Sequence, residues 1–203
     1  MAKGLLFVIS GPSGVGKGTI VRKVMELSNN TILSISATSR SIRPNEQEGI
    51  SYFFISKEEF EKRINDGYFL EYQKVYDNYY GTPKQFVLDN LEKGINVILE
   101  IDIKGALEVK KNLPDAKMIF ILPPSLKELK RRLTGRKSDS EEQISKRLSL
   151  AKPEIEQYTK FDYHVVNDDL QQTTKTIHNI MTGKKEKTNI NKKIIDKILN
   201  EDF

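Results

Sequence analysis

ISGPSGVGKGT, at Ile9–Thr19, is the most informative segment of this chain. The apolar run Leu5–Ile9 leads into it and predicts a strand that is buried on both faces. Apolar residues at helical spacing follow within Ile20–Leu27 and predict a helix. The three glycines before Lys17 allow backbone angles at which successive N–H groups converge on an anion, and the lysine adds a full positive charge beside the helix start. In this context the Gly-x-x-x-x-Gly-Lys pattern predicts a phosphate-binding loop.

This segment has one alternative interpretation and one departure from the usual motif. A glycine-rich turn with a solvated lysine would match the same short pattern, and short motifs do give false matches. Gly18 also stands where a serine or threonine usually follows the lysine, and Thr19 comes one position later. The phosphate cradle is therefore expected to be intact, whereas the usual hydroxyl ligand for Mg²⁺ is displaced to Thr19 or lost.

Length and composition are those of an ordinary globular protein. At 203 residues the chain can form one sizeable core with inserted lobes. No apolar run approaches the ~18–20 residues of a membrane helix, and the short apolar run near the N-terminus lacks the cleavage site of a signal peptide. The complete lack of cysteine excludes disulfides and thiolate metal sites. We therefore expect a cytoplasmic protein without a membrane partner.

The net charge of +5 raises the question of a nucleic-acid partner. No zinc-finger, RRM or helix-turn-helix pattern accompanies this charge in the sequence. A protein that handles nucleotides also needs basic side chains for phosphates. We interpret the charge as solvated lysines together with a phosphate site, and we expect no nucleic-acid partner.

The order of predicted elements indicates the fold class. Strands of the buried type are predicted at Asn96–Ile101, Lys117–Leu122 and Tyr163–Val166, and a helix is predicted after each of them. Such alternation predicts an α/β protein with a parallel sheet covered on both faces. Residues 36–83 instead contain short strands and turns, including a turn predicted at Asn78–Pro83, and this pattern indicates an inserted lobe.

The C-terminal segment contains a charged linker and a predicted amphipathic helix. Ile190, Ile194 and Ile198 recur at every fourth position, which places them on one helical face. This apolar stripe could dock on the core or on a second subunit. A homodimer is therefore one expectation.

Several further motifs follow one another in the order and spacing seen in the guanylate kinases, which the chain resembles over most of residues 4–182. The motifs beside the phosphate loop are TSRSIRPNEQEGISYFF (38–54), FLEY (69–72), NYYGTP (78–83), LEID (99–102), FILPPS (120–125), RRLTGR (131–136), KRL (146–148) and VVND (165–168). The resemblance implies a P-loop NTPase fold of three layers with a parallel sheet, an inserted GMP-binding lobe and a small lid. It implies a core of residues 1–35, 84–130 and 150–203, a GMP-binding lobe of residues 36–83, and a lid of residues 131–149.

The resemblance also implies a reaction. ATP would phosphorylate GMP, and also dGMP, to the diphosphate, in purine nucleotide metabolism and GMP recycling. ATP and GMP would be the small-molecule partners, and Mg²⁺ would be the cofactor that enters with ATP. No side chain is needed as a base, because the second pKa of a phosphate monoester is about 6 and the GMP phosphate is largely dianionic at pH 7.

On the ATP side, the resemblance places the triphosphate on the loop and lid arginines around the phosphoryl group that is transferred. The catalytic residues that it implies are Lys17, Arg132, Arg136 and Arg147. Asn167 matches a position at the adenine end of the site. Glu100 would lie in the outer shell of Mg²⁺, and Thr19 would offer the ion a hydroxyl group. The implied ATP-binding residues are Gly11, Pro12, Ser13, Gly14, Val15, Gly16, Lys17, Gly18, Thr19 and Asn167.

On the GMP side, Arg40 and Arg43 match the positions that bind the phosphate, and guanidinium groups bind phosphate oxygens bidentately. Tyr52 and Tyr80 would add hydroxyl donors. Glu71 matches the position that selects guanine, because a carboxylate can accept from both N1–H and the 2-amino group, a pair that adenine lacks. The other implied guanine contacts are Ser36, Thr82 and Asp102.

Taken singly, each of these side chains could be an ordinary packed or solvated residue. Two other functions also fit part of the pattern. Scaffold proteins contain guanylate-kinase-like domains that bind phosphopeptides without catalysis, and related kinases act on sugar phosphates. The complete glycine-lysine loop argues against the first alternative, and the carboxylate at Glu71 argues against the second.

Overall fold

A computed structural model of the chain describes residues 2–44, 46–75, 77–135, 141–184 and 192–201. The strands and helices alternate along most of this length. The strands are β1 (Leu6–Ser10), β2 (Thr31–Leu33), β3 (Ala37–Thr38), β4 (Phe53–Phe54), β5 (Phe69–Val75), β6 (Asn78–Pro83), β7 (Asn96–Glu100), β8 (Lys117–Leu122) and β9 (Tyr163–Val166). The α-helices are α1 (Lys17–Glu26), α2 (Lys57–Asn65), α3 (Lys84–Glu92), α4 (Ile103–Asn112), α5 (Leu126–Thr134), α6 (Glu141–Glu156), α7 (Leu170–Met181) and α8 (Lys192–Leu199).

The chain divides into two compact units, each with buried apolar side chains of its own. Unit 1 comprises residues 1–8 and 30–116, and unit 2 comprises residues 9–29 and 117–203. The division into a core, a lobe at residues 36–83 and a lid at residues 131–149 stays a prediction.

The main sheet has five strands in the order β2-β7-β1-β8-β9. β2 runs parallel to β7, with Thr31 opposite Asn96, and β8 runs parallel to β9, with Ile119 opposite Tyr163. All five residues of β1 are buried, because a strand covered on both faces has no side open to water. The sheet confirms the predicted α/β class.

The second sheet lies in unit 1 and has four strands in the order β4-β3-β6-β5. The turn predicted at Asn78–Pro83 was wrong, because this segment is β6 and pairs antiparallel with β5 over its whole length. Its glycine serves packing instead of a turn. A Cβ atom at Gly81 would lie 2.8 Å from the ring of Phe69 and 3.0 Å from that of Phe60.

Side-chain caps fix several helix starts. The Ser56 hydroxyl accepts a hydrogen bond from the Glu59 amide at the start of α2, and the Ser125 hydroxyl accepts one from the Glu128 amide at the start of α5. Each serine stands three residues before its glutamate, which is the sequence pattern of a capping box. Within the part of the chain that the structure describes, no helix is long and apolar enough to cross a membrane.

The C-terminal helix α8 packs on the chain itself. Ile195 and Ile198 are buried, whereas Ile194 is 37% exposed. The predicted stripe was therefore wrong at its central position, where Ile195 and not Ile194 is buried. Ile190 lies outside the described residues. After the helix, a carboxylate oxygen of Glu201 accepts a 2.7 Å hydrogen bond from the amide of Leu126, the first residue of α5. The homodimer stays a prediction.

Candidate nucleotide-binding sites

The predicted phosphate loop connects β1 to α1 in unit 2. Gly11 and Gly16 have φ values of +149° and +99°, which residues with a Cβ atom rarely adopt. A Cβ atom added at Gly11 would lie 2.3 Å from the Ile121 carbonyl oxygen. A Cβ atom added at Gly16 would lie 2.9 Å from the Asn167 side-chain nitrogen. The Lys17 ammonium group donates to the Gly11 carbonyl at 2.6 Å, so its charge lies against the loop. The loop therefore has the backbone and the charge of an anion site.

Helix α6 contacts this loop at Ser13. Nη1 of Arg147 donates to the Ser13 hydroxyl at 2.8 Å, and the Ser13 amide donates to a carboxylate oxygen of Glu154 at 3.3 Å. The structure thus places Arg147, one of the predicted catalytic arginines, on the phosphate loop. Glu154 could not be predicted from the sequence, because one carboxylate on a helix carries no motif. Arg136, the third predicted lid arginine, lies outside the described residues.

A second set of contacts joins the loop to α5 and to the end of β9. The Val15 carbonyl accepts from the Asn167 side-chain amide at 2.8 Å and from Nη1 of Arg132 at 3.3 Å. Arg132 also donates to the Asn167 carbonyl at 2.9 Å and to Glu128 at 2.8 Å. Hydrogen bonds from Arg131 and Arg132 lower the pKa of the Glu128 carboxyl to about 2. The structure therefore brings both Arg132 and Asn167 to the loop, and it adds Glu128, which the sequence analysis missed.

Unit 1 contains a second basic site between β3 and β4. Nη1 and Nη2 of Arg40 each donate to a carboxylate oxygen of Glu46 at 2.7 Å, and the guanidinium carbon lies 5.2 Å from the centre of the Tyr52 ring. The rings of Tyr52 and Tyr80 meet edge to face with their centres 6.0 Å apart. Arg43 is exposed, and its backbone amide donates to Glu46 at 3.0 Å. The structure thus groups Arg40, Tyr52 and Tyr80 through these contacts. It adds Glu46 as the partner of Arg40, which the sequence did not indicate.

Glu71 is a buried acid on β5. The residue is only 5% exposed, and its carboxylate accepts a 2.7 Å hydrogen bond from the Thr82 hydroxyl. Burial raises its pKa to about 7, the Thr82 hydrogen bond opposes this shift, and the nearby Asp102 and Glu108 carboxylates reinforce it. A Cβ atom at position 105 would lie 2.6 Å from Oε2 of Glu71, so the glycine there leaves room for the carboxylate.

The remaining predicted residues of unit 1 lie at the ends of strands. Asp102 is the N-cap of α4, and its carboxylate accepts from the Gly105 amide at 2.7 Å. Glu100 ends β7 and is half-buried. The half-buried Ser36 precedes β3, and its backbone carbonyl accepts from the Phe53 amide at 2.9 Å. The helix cap therefore occupies Oδ1, one of the two carboxylate oxygens of Asp102.

The two basic sites each suit a phosphate-bearing ligand. The loop in unit 2 offers backbone amides, a lysine and arginines, which together suit a polyphosphate. The basic site in unit 1 suits a single phosphate group. The buried Glu71 carboxylate in the same unit suits a planar ligand with two adjacent hydrogen-bond donors.

Comparison with known proteins agrees with this chemistry. The sequence model of the family described as guanylate kinase matches residues 3–184. Guanylate kinase from Clostridioides difficile (strain 630) is 48% identical over 193 residues, which are 95% of this chain and 94% of the relative. Guanylate kinase from Caldanaerobacter subterraneus subsp. tengcongensis is 50% identical over 98% of this chain and 97% of its own length. The crystal structure of guanylate kinase from Anaplasma phagocytophilum has a TM-score of 0.76 at 34% identity, and covers 92% of this chain and 89% of that one. This chain belongs to the guanylate kinase family.

Proposed function

We propose that this protein is a nucleoside monophosphate kinase that transfers the γ-phosphoryl group of ATP to GMP, and to dGMP, in cytoplasmic purine nucleotide metabolism. The observation that carries the choice of substrate is the buried Glu71 carboxylate in the unit that also contains the Arg40 site. AMP would leave this acceptor buried without a donor, which is the kind of mismatch that gives strong discrimination.

The GMP phosphate is assigned to Arg40, Arg43, Tyr52 and Tyr80. Arg40 already lies in a fixed orientation, because Glu46 and the Tyr52 ring hold its guanidinium group. Such preorganisation lowers the entropy lost when the phosphate binds. The guanine base is assigned to Ser36, Glu71, Thr82 and Asp102. Since the Thr82 hydroxyl has one proton and donates it to Glu71, Thr82 orients the carboxylate as well as lining the site.

In the reaction, a phosphate oxygen of GMP forms a bond to the γ-phosphorus atom. The bond from that atom to the β–γ bridging oxygen breaks, and ADP leaves. No proton has to be removed from a dianionic phosphate, so the protein acts by positioning and by charge neutralisation. The residues proposed for this neutralisation are Lys17, Arg132, Arg136 and Arg147.

Mg²⁺ is proposed to enter as part of the ATP complex. Among the residues that the structure describes, no three histidine, aspartate or glutamate side chains cluster as a metal cage. The exposed Thr19 of unit 2 offers a hydroxyl group to an ion that phosphate oxygens and water already coordinate, and the outer-shell role of Glu100 stays a prediction. When bound, the ion neutralises phosphate charge.

The test of the function is ADP release from ATP and Mg²⁺ with GMP, dGMP, AMP, UMP or CMP offered separately. We expect turnover with GMP and dGMP, and turnover with the other three at no more than about 1% of that rate. Bound GMP without turnover of any nucleotide would contradict the kinase and would favour a phosphopeptide-binding module. Equal turnover of AMP and GMP would contradict the role of Glu71.

Glu46→Gln is expected to raise the KM for GMP by about tenfold and to leave the KM for ATP unchanged. The substitution keeps the size of the side chain but removes the charge that holds Arg40 in its bidentate pair. The pair is only partly exposed, at 11% for the arginine side chain and 18% for the glutamate, so it is screened less than a surface pair.

Steady-state kinetics with each substrate varied in turn would measure both constants. Glu58→Gln on α2 is the matched control, because it removes one exposed carboxylate with the same change in net charge. Its KM for GMP is expected to equal that of the parent protein. A lower KM for GMP in Glu46→Gln would mean that Glu46 competes with the phosphate instead of orienting Arg40.

A further inference from the structure

We propose that Asn167 and Glu128 are positioning residues of the phosphate loop, which fix the direction of the Val15 carbonyl group and thereby aim the Gly16 N–H at the bound phosphate. This inference rests on the proposed function for the identity of the ligand, the triphosphate of ATP. It gives Asn167 a role toward the phosphates instead of the adenine base.

The carbonyl group of Val15 is buried and accepts hydrogen bonds from two side chains. Val15 is completely buried, and its carbonyl oxygen accepts from the Asn167 amide at 2.8 Å and from the Arg132 guanidinium at 3.3 Å. Asn167 is only 6% exposed, so water does not compete for this bond. A buried amide held in this way has one orientation.

The geometry of the peptide bond transmits that orientation. The Val15–Gly16 peptide is planar and trans, so its N–H points in the opposite direction from its C=O. The Asn167 amide lies on the carbonyl side, where a Cβ atom at Gly16 would come within 2.9 Å of it. The Gly16 N–H therefore faces away from Asn167. In a loop of this kind, phosphate binds to backbone N–H groups that converge before the helix.

Glu128 supports the same carbonyl through Arg132. Its carboxylate accepts from Nε of Arg132 at 2.8 Å, and the Asn167 carbonyl accepts from Nη2 at 2.9 Å. These two contacts hold the guanidinium plane, so that Nη1 reaches Val15. Asn167 is itself fixed, because its backbone amide donates to the Leu122 carbonyl at 2.8 Å. The loop thus rests on two elements of its own unit, α5 and the end of β9.

The test is Asn167→Leu, which keeps the approximate size of the side chain, removes the amide donor to the Val15 carbonyl and adds no charge beside the phosphates. Affinities would be measured by calorimetry for ATP, for inorganic tripolyphosphate and for GMP. The dissociation constants of ATP and of tripolyphosphate are both expected to rise by about tenfold, and that of GMP is expected to stay unchanged. A contact with adenine would weaken ATP alone, because tripolyphosphate has no base.

Two further variants complete the design. Glu128→Gln is expected to weaken tripolyphosphate by about threefold, because an amide orients Arg132 less strongly than a carboxylate. Arg131→Ala is the matched control, since the exposed Arg131 pairs with the same carboxylate but has no part in the loop contacts described above, and its tripolyphosphate affinity is expected to be unchanged.

Unchanged tripolyphosphate affinity in a folded Asn167→Leu protein would overturn the proposal. If that variant does not fold, unchanged affinity in Glu128→Gln would overturn it. A parent protein that binds neither ATP nor tripolyphosphate would instead contradict the proposed function, so the two failures are distinguishable.

Discussion

Lys17→Ala is expected to lower kcat by at least about 1,000-fold while the protein stays folded, because positioned cations contribute on that scale to phosphoryl transfer. The Lys17 ammonium group lies 2.6 Å from the Gly11 carbonyl oxygen, at the start of the loop that would hold the triphosphate. An alanine at this position leaves the loop glycines in place. The loss should therefore concern the reaction more than the fold.

Rapid measurement of ADP release at saturating ATP and GMP would determine kcat. Thermal unfolding of the same sample would show whether the fold persists. The control is Lys23→Ala on the same helix, where the exposed lysine pairs with Glu26. This variant is expected to keep the parent activity. Full activity in Lys17→Ala would contradict the assignment of the loop as the ATP site.

The phosphate loop could be predicted because its signal is local. Glycine positions, the lysine and the flanking apolar runs lie within a few residues of one another, and each has a direct conformational meaning. The capping serines Ser56 and Ser125 are local signals of the same kind, because each stands three residues before a glutamate. The strand β6 was missed for the opposite reason. Its glycine and proline indicated a turn, but pairing with β5 and the rings of Phe60 and Phe69 determine its structure.

The carboxylates that orient basic groups could not be predicted. Glu46, Glu128 and Glu154 belong to a residue type that is common on any surface, and their partners are identified only by distance. Asn167 shows the same limit in another form. The motif VVND indicated that the residue belongs to the ATP site, but only the 2.8 Å bond to Val15 links its side chain to the loop. A sequence pattern thus identifies which residues act on the ligand more readily than which residues hold them in place.

Glu71→Gln is expected to lower kcat/KM for GMP by about 1,000-fold and to change kcat/KM for AMP much less. Glutamine has the same shape, but it presents an N–H₂ group to one of the two guanine donors. The buried position leaves no water to compensate, since residue 71 is 5% exposed. Competition experiments with mixed GMP and AMP would give the selectivity ratio directly. The control is Glu108→Gln, which removes a neighbouring carboxylate and is expected to preserve selectivity for GMP.

The same variant tests the raised pKa of Glu71. In the free protein this pKa is about 7, so the carboxyl is half protonated at neutral pH. Only the ionised form can accept from both guanine donors, and kcat/KM for GMP should therefore rise with pH up to about 7 and level off above it. The GMP phosphate adds its own rise near pH 6. Glu71→Gln should keep the rise that belongs to the phosphate and lose the one near pH 7. Identical profiles for the two proteins would mean that Glu71 is already ionised when GMP binds, and burial would then not control its protonation.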